Sequence, residues 1–274
     1  MKIALLDSGI GLLAAAAAVR RLRPDAALVL SSDPDGMPWG PRSPEEVTAR
    51  ALRCARAAVA HRPDVLIVAC NTASVHALPA LRAELEPRIP VVGTVPAVKP
   101  AARGGGPVAV WATPATTGSP YQHGLITDFA AGVAVTEVPC PGLADAVQRA
   151  EPSAVDRAVA AAADRTPPDV AAVVLGCTHY ELVTDRIRAA VQRPGGPAVT
   201  LHGSAGAVAA QALHRIGARP EPSAVASDDT TVLLSGREVG LPAEALRYAE
   251  GRTLSPALET DAPRTVPSPP VPGA

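Results

Sequence analysis

Four residues of this chain have types and surroundings suited to moving a proton at carbon: Cys70, Cys177, Asp7 and His179. Cys70 closes the apolar run 65–69 and is followed by Asn71 and Thr72; Cys177 closes the run 171–176 and is followed by Thr178 and His179. A cysteine between a buried strand and a helix start sits where backbone N–H groups and the helix dipole favour the thiolate. One such cysteine is commonly inert filler. The same context twice, with polar neighbours each time, reads as a pair of reactive thiols, and the chemistry such a pair suits is proton removal from one face of a carbon acid and return to the other. Cys54, inside the helical run 51–59, and Cys140, beside Pro141, read as structural. The spacing offers no CxxC pair and no histidine cluster, so neither a zinc site nor any other metal centre is expected. Gly9 and Gly11 begin a dinucleotide-loop pattern that fails at Ala14.

The elements that must position these residues follow from periodicity. Short runs rich in Val and Ile predict strands at 3–6, 27–31, 65–69, 91–93, 108–111, 133–138, 171–175 and 199–201. Between them, helical spacing predicts helices at 12–23, 44–61, 75–86, 122–131, 142–150, 153–164, 182–192 and 204–216. Ser43 before Pro44, with Glu45 and Glu46 in the first turn, is a helix-start signature. Alternation of this kind gives an α/β fold with parallel sheets.

The chain also repeats at about half its length. Pro63-Asp64-Val65 leads through an apolar strand to Cys70, and Pro168-Asp169-Val170 leads through another to Cys177, 107 residues on. The strand ending at Asp7-Ser8-Gly9 is matched 106 residues later by the one ending at Ala112-Thr113. Near-equal offsets favour an old duplication. The expectation is two pseudo-symmetric parallel-sheet α/β domains, 1–95 plus 199–254 and 96–198, facing each other across a cleft. In such sheets ligands bind beyond the carboxyl ends of the strands, where all four polar turns fall. The Pro-rich tail 255–274 is expected to be disordered.

Composition narrows the partners. The 25 Lys and Arg against 26 Asp and Glu give a net charge of −1, with no basic block to neutralise a phosphate backbone, so nucleic acid is not an expected partner. Aromatic residues make up 2% of the chain, leaving the core to Val, Leu, Ile and Ala. No apolar run approaches the roughly 18 residues of a membrane span, and the N-terminus lacks a signal-peptide pattern; a cytoplasmic protein is expected.

The segments Asp7-Ser8-Gly9, Ala69-Cys70-Asn71-Thr72-Ala73-Ser74 and Leu175-Gly176-Cys177-Thr178-His179-Tyr180 resemble the signatures of the glutamate racemase family. The similarity runs from about residue 2 to about 250 and includes Asp33 with Pro38-Trp39-Gly40, Pro90-Val91-Val92-Gly93 with Pro96, and Ala112-Thr113 with Ala115-Thr116. The resemblance implies a two-base racemase of L- and D-glutamate serving peptidoglycan synthesis, without cofactor or metal. It implies Cys70 and Cys177 as the bases, Asp7 assisting the first and His179 the second. Ser8, Asp33, Pro38, Trp39, Gly40, Asn71, Thr72, Thr113, Thr116 and Thr178 would contact a small amino-acid substrate. A homodimer is the implied assembly.

Several positions depart from the family pattern: Leu12 and Glu181 stand where a glycine and a proline are usual, Trp39 replaces a tyrosine, and Gln148 replaces a glutamate near the histidine. The Ser119-Pro120-Tyr121 segment is one residue short. These changes keep two other readings open: a racemase or epimerase of another acidic or polar amino acid, and a binding protein on the same fold. A single-cysteine arylmalonate decarboxylase is disfavoured because both cysteines are present.

Overall fold

Ten strands and eleven helices make up the described part of the chain. The strands are β1 (Lys2–Asp7), β2 (Ala27–Ser32), β3 (Val65–Val68), β4 (Val91–Gly93), β5 (Val108–Ala112), β6 (Val135–Pro139), β7 (Ala172–Leu175), β8 (Thr200–His202), β9 (Thr230–Leu234) and β10 (Arg237–Val239). The helices are α1 (Leu12–Leu22), α2 (Pro44–Val59), α3 (Asn71–His76), α4 (Leu78–Leu85), α5 (Val98–Arg103), α6 (Pro120–Phe129), α7 (Leu143–Gln148), α8 (Pro152–Ala163), α9 (Thr184–Val191), α10 (Ala205–Arg215) and α11 (Ala249–Thr253). This computed structural model describes residues 1–255, so most of the Pro-rich tail lies outside the described residues.

One sheet has the order β10-β9-β2-β1-β3-β4 and the other β6-β5-β7-β8. Within them β2-β1-β3-β4 and β6-β5-β7-β8 are the same parallel arrangement, so β1 corresponds to β5 and β3 to β7. Each has its switch of winding direction between its two central strands, where a crevice opens at the carboxyl ends. The chain crosses back to the larger sheet after β8 and not at residue 199, because Thr200–His202 pairs with β7.

Strands β9 and β10 and the short helices α5 and α11 were not predicted from the sequence, and one predicted helix is divided. β9 and β10 extend the larger sheet as a hairpin closed by Ser235 and Gly236, both at positive φ (48° and 81°). A two-residue turn of that kind twists as the strands do, and Ser-Gly between Leu234 and Arg237 is its sequence mark. The single helix expected at 75–86 is two, α3 and α4, broken at Ala77. Pro79 has no N–H to continue the ladder and sits in the first turn of α4, while α3 starts directly after Cys70.

Helix α1 explains the run of alanines. Leu12 through Arg20 are all buried, because the helix lies between the two sheets and packs on β1, α10, α11 and the 3-10 turn Thr178–Val183. A helix apolar on every side belongs in an interior. Small side chains on α1 meet Ala205, Val208, Ala209 and Ala212 of α10, and one continuous core runs from Ile3 and Leu5 through α1 to Trp111 and Val173. Glu181 adds a polar tie. Its Oε1 accepts from Ser204 N–H (2.8 Å), Ser204 Oγ (2.8 Å) and Ala205 N–H (3.2 Å), capping α10 from the turn that follows Cys177.

Candidate active site

Cys70 and Cys177 occupy the same place in their halves. Each ends a central strand and precedes a helical turn, with φ and ψ of −144° and 123° for Cys70 and −138° and 136° for Cys177. Both line one cavity of about 320 Å³ between the sheets. That volume suits a small metabolite.

The cavity is tied shut at its floor by hydrogen bonds between the halves. Thr178 Oγ1 donates to Asp7 Oδ2 (3.2 Å), Asn71 Nδ2 donates to the Gly176 carbonyl (2.9 Å), and Ile10 N–H donates to Gln148 Oε1 (2.9 Å). Asp7 ends β1 and is fully buried; its Oδ1 accepts from Ser8 N–H (2.6 Å) and Ser8 Oγ (3.3 Å). The Asn71 Oδ1 atom is buried without a partner, so one acceptor is left for a ligand. Thr113 and Thr116 share a hydrogen bond (3.2 Å) on the rim from the smaller sheet.

Burial sets the electrostatics. It pushes the Asp7 carboxyl up to about 7, even though hydrogen bonds from Cys70, Ser8 and Thr178 pull the other way. Burial and the nearby Asp7 charge hold the Cys70 thiol well above its ordinary value, and burial takes Cys177 up to about 12 against the opposing backbone N–H groups of His179 and Tyr180. His179 is pushed down to about 4 by burial. The resting site therefore holds two thiols. Each lies beside a titratable side chain: Cys70 hydrogen-bonds Asp7, and His179 Nδ1 lies 3.9 Å from Cys177 Sγ. Cys54 and Cys140 are both raised to about 12 by burial; Cys140 touches the cavity wall and lies beside the Tyr180 hydroxyl.

Of the residues expected at the site, Asp7, Ser8, Pro38, Trp39, Gly40, Cys70, Asn71, Thr72, Thr113, Thr116, Cys177, Thr178 and His179 all line the cavity. Asp33 does not. Its Oδ2 accepts from Trp39 Nε1 (3.1 Å) and Arg50 (3.0 Å) and its Oδ1 from Ser235 Oγ (3.2 Å), so its carboxylate is spent on holding the Trp39 wall. The sequence could not show this, because Ser235 arrives on the unforeseen hairpin. Conversely, Gln148 lines the cavity and bonds His179 Nε2 (3.0 Å), and it was visible in the sequence only as a departure.

Gly11 has a steric role. A Cβ there would overlap Asp7 Oδ2 and Thr178 Oγ1 and come within 2.7 Å of His179 Nδ1. Replacing Gly11 with Ala is expected to cost roughly 1–3 kcal/mol of stability by overpacking and to slow turnover at least about tenfold by spreading Asp7 from Thr178 and His179. Urea unfolding and steady-state rates check this, and wild-type values in both would refute it.

Two parallel sheets of the same strand order, with a cysteine at the same strand end of each on one cavity, define an α/β protein of the paired-cysteine type. Comparison places it further. The chain belongs to the Asp/Glu/Hydantoin racemase family, which it matches over residues 11–213. It is 45% identical to the glutamate racemase of Roseiflexus sp. over 195 residues, 68% of this chain and 70% of that one. Against the glutamate racemase of Granulibacter bethesdensis it is 35% identical over 257 residues, covering 90% and 91%. Among solved structures, Escherichia coli glutamate racemase in complex with L-glutamate and the activator UDP-MurNAc-ala superposes with a TM-score of 0.75 at 27% identity, covering 94% of each chain. Among the described residues, no helix is long and apolar enough to cross a membrane, and no group of three or more His, Cys, Asp or Glu is placed to hold a metal ion.

Proposed function

We propose that this chain is a glutamate racemase that interconverts the L and D forms through Cys70 and Cys177, supplying D-glutamate for peptidoglycan in the cytoplasm. The observation that carries the reading is the pair of thiols with matched backbone geometry on one cavity, each with its own proton partner.

In one direction a cysteine passes its proton to its partner, Asp7 for Cys70 or His179 for Cys177, and the thiolate so formed takes the α-proton. The other cysteine, still a thiol, donates to the opposite face. The α-proton of an amino acid is weakly acidic, so the developing carbanion needs donors aimed at the substrate carboxylate in a water-poor cavity. Ser8, Thr72, Thr113, Thr116 and Thr178 supply such hydroxyls, and the unpartnered Asn71 Oδ1 suits the substrate ammonium. Pro38, Trp39 and Gly40 wall the cavity. Glutamate is favoured because the relatives named above are glutamate racemases. Racemisation or epimerisation of another acidic or polar amino acid is the second reading, since Trp39 and Gln148 change the wall that the side chain would meet.

Incubation with single amino acids in deuterated water tests this. Glutamate, supplied as either enantiomer, is expected to lose its α-proton NMR signal. Exchange confined to another amino acid would transfer the activity to that substrate, and no exchange across a broad panel would remove the enzyme reading.

A further inference from the structure

We propose that Gln148 is a positioning residue that fixes His179 as its Nε2–H tautomer and turns a bare Nδ1 toward the Cys177 thiol. The catalytic consequence rests on the racemase reading; the tautomer does not.

Three hydrogen-bond facts determine it. Ile10 N–H can only donate, and it lies 2.9 Å from one end of the Gln148 amide, so that end is the oxygen. The same oxygen lies 3.0 Å from His179 Nε2, and an amide oxygen can only accept, so Nε2 carries a hydrogen. In the neutral ring Nδ1 is then unprotonated, and it is the atom 3.9 Å from Cys177 Sγ. The depressed basicity of the buried imidazole is consistent with a neutral ring.

The amide is itself held. A Cβ on Gly9 would collide with Gln148 Oε1, so the absence of a side chain there lets the amide reach Ile10. Behind it, Tyr248 OH donates to the Val147 carbonyl at 2.6 Å, pinning the end of α7 to the segment before α11. Gln148 thus links β1's loop, α7 and the 3-10 turn at one atom.

The proton step balances simply. The Cys177 S–H bond breaks, its electron pair stays on sulfur, and the proton goes to Nδ1; the imidazolium keeps its Nε2–H on the amide oxygen. A carboxylate at position 148 would act differently. It would attract a second proton to the ring at rest, placing Nδ1–H against the sulfur and removing the acceptor. The other titratable groups lining the cavity are Asp7 from β1, Cys70 and Cys177 from the ends of β3 and β7, Cys140, and Asp145 from α7; Tyr180 adjoins His179 in the chain, and no Lys or Arg is among the cavity-lining residues.

The test is long-range 1H–15N correlation on the full chain labelled with 15N-histidine, with His179 assigned by the signals lost in His179→Gln. The expected result at pH 7 is a protonated Nε2 and an unprotonated Nδ1. Gln148→Glu should shift His179 toward protonation at both nitrogens, and Gln148→Ala should replace the single tautomer by a mixture. With glutamate as substrate, Gln148→Ala should lower kcat about tenfold, less than the roughly 10²-fold or more lost when a general acid or base is itself removed, with a smaller change in KM. A wild-type spectrum with Nδ1 protonated, or variants whose His179 signals match wild type, would overturn the proposal. If the variants fail to fold, the wild-type spectrum alone decides. An Nε2–H tautomer in a protein that exchanges no amino acid supports the positioning role and fails the racemase reading only.

Discussion

Cys70→Ser and Cys177→Ser are each expected to lower racemisation by roughly 10³-fold or more, because a serine hydroxyl cannot reach its alkoxide at neutral pH and the other cysteine cannot serve both faces. The fold should survive, since a hydroxyl is close in size to the thiol and can keep the hydrogen bond that Cys70 makes to Asp7, while Cys177 contacts the His179 ring only at 3.9 Å. The two variants should differ in a telling way. With one thiol left, that cysteine can still remove the α-proton of the enantiomer facing it and return deuterium to the same face. Each variant should therefore wash deuterium into one enantiomer only, and the two should prefer opposite enantiomers. Near wild-type racemisation in either variant would end the two-base assignment. Deuterium entering the same enantiomer in both would show that the cysteines do not face opposite sides of the substrate.

Asp7→Asn should separate activity from stability. Loss of the acceptor for the Cys70 proton is expected to slow turnover about 10²–10³-fold. Stability should move the other way. The folded-state pKa of Asp7 is raised to about 7 from an ordinary value of 3.8, so between these pH values the folded protein holds a proton that the unfolded chain has released. Stability therefore falls as pH rises through that window, and above it the buried charge costs on the order of 4 kcal/mol. His179 has the opposite sign: its pKa is depressed from 6.5 to about 4, so the unfolded chain binds the extra proton and stability rises with pH across that interval. From about pH 4 to 6.5 the two slopes oppose each other in the wild type. In Asp7→Asn the histidine slope is left alone, and at pH 8 the variant should be roughly 2–4 kcal/mol more stable in urea. A variant no more stable than wild type at pH 8, or one that keeps full turnover, would contradict this account of the carboxyl.

A close relation holds between the two experiments. The forces that raise Asp7 and both thiols and lower His179 are one force, exclusion of water from the floor of the cavity, where Thr178, Asn71 and Gln148 cross between the halves. A site so dry disfavours every charged form, so a proton transfer between neighbours costs least where it only moves a charge already present and more where it creates an ion pair. Transfer from Cys70 to an ionised Asp7 moves a charge, whereas transfer from Cys177 to a neutral His179 creates a thiolate–imidazolium pair, which is why the resting state of His179 bears on the reaction.

Much of this was legible in the linear chain. Alternating Val-rich runs and helical spacing predicted eight strands close to where they occur, because buried parallel strands must be apolar along their length. The equal offsets from Asp7 to Thr113 and from Cys70 to Cys177 marked equivalent places in two sheets of the same strand order. Where reading failed, a distant partner decided the outcome. The hairpin of β9 and β10 is short and half-exposed, and it is a strand only because β2 offers it an edge. Asp33 looked like a ligand residue until Trp39, Arg50 and Ser235 were found to occupy its oxygens.

By itself the sequence determined which atoms can carry the chemistry and at which strand ends they lie, since residue type and local periodicity are properties of neighbours along the chain. Tertiary structure alone decided how basic those atoms are and which way their hydrogens point. Desolvation of Asp7 and the tautomer of His179 depend on groups up to 171 residues away, Thr178 for the one, and Ile10 acting through Gln148 for the other.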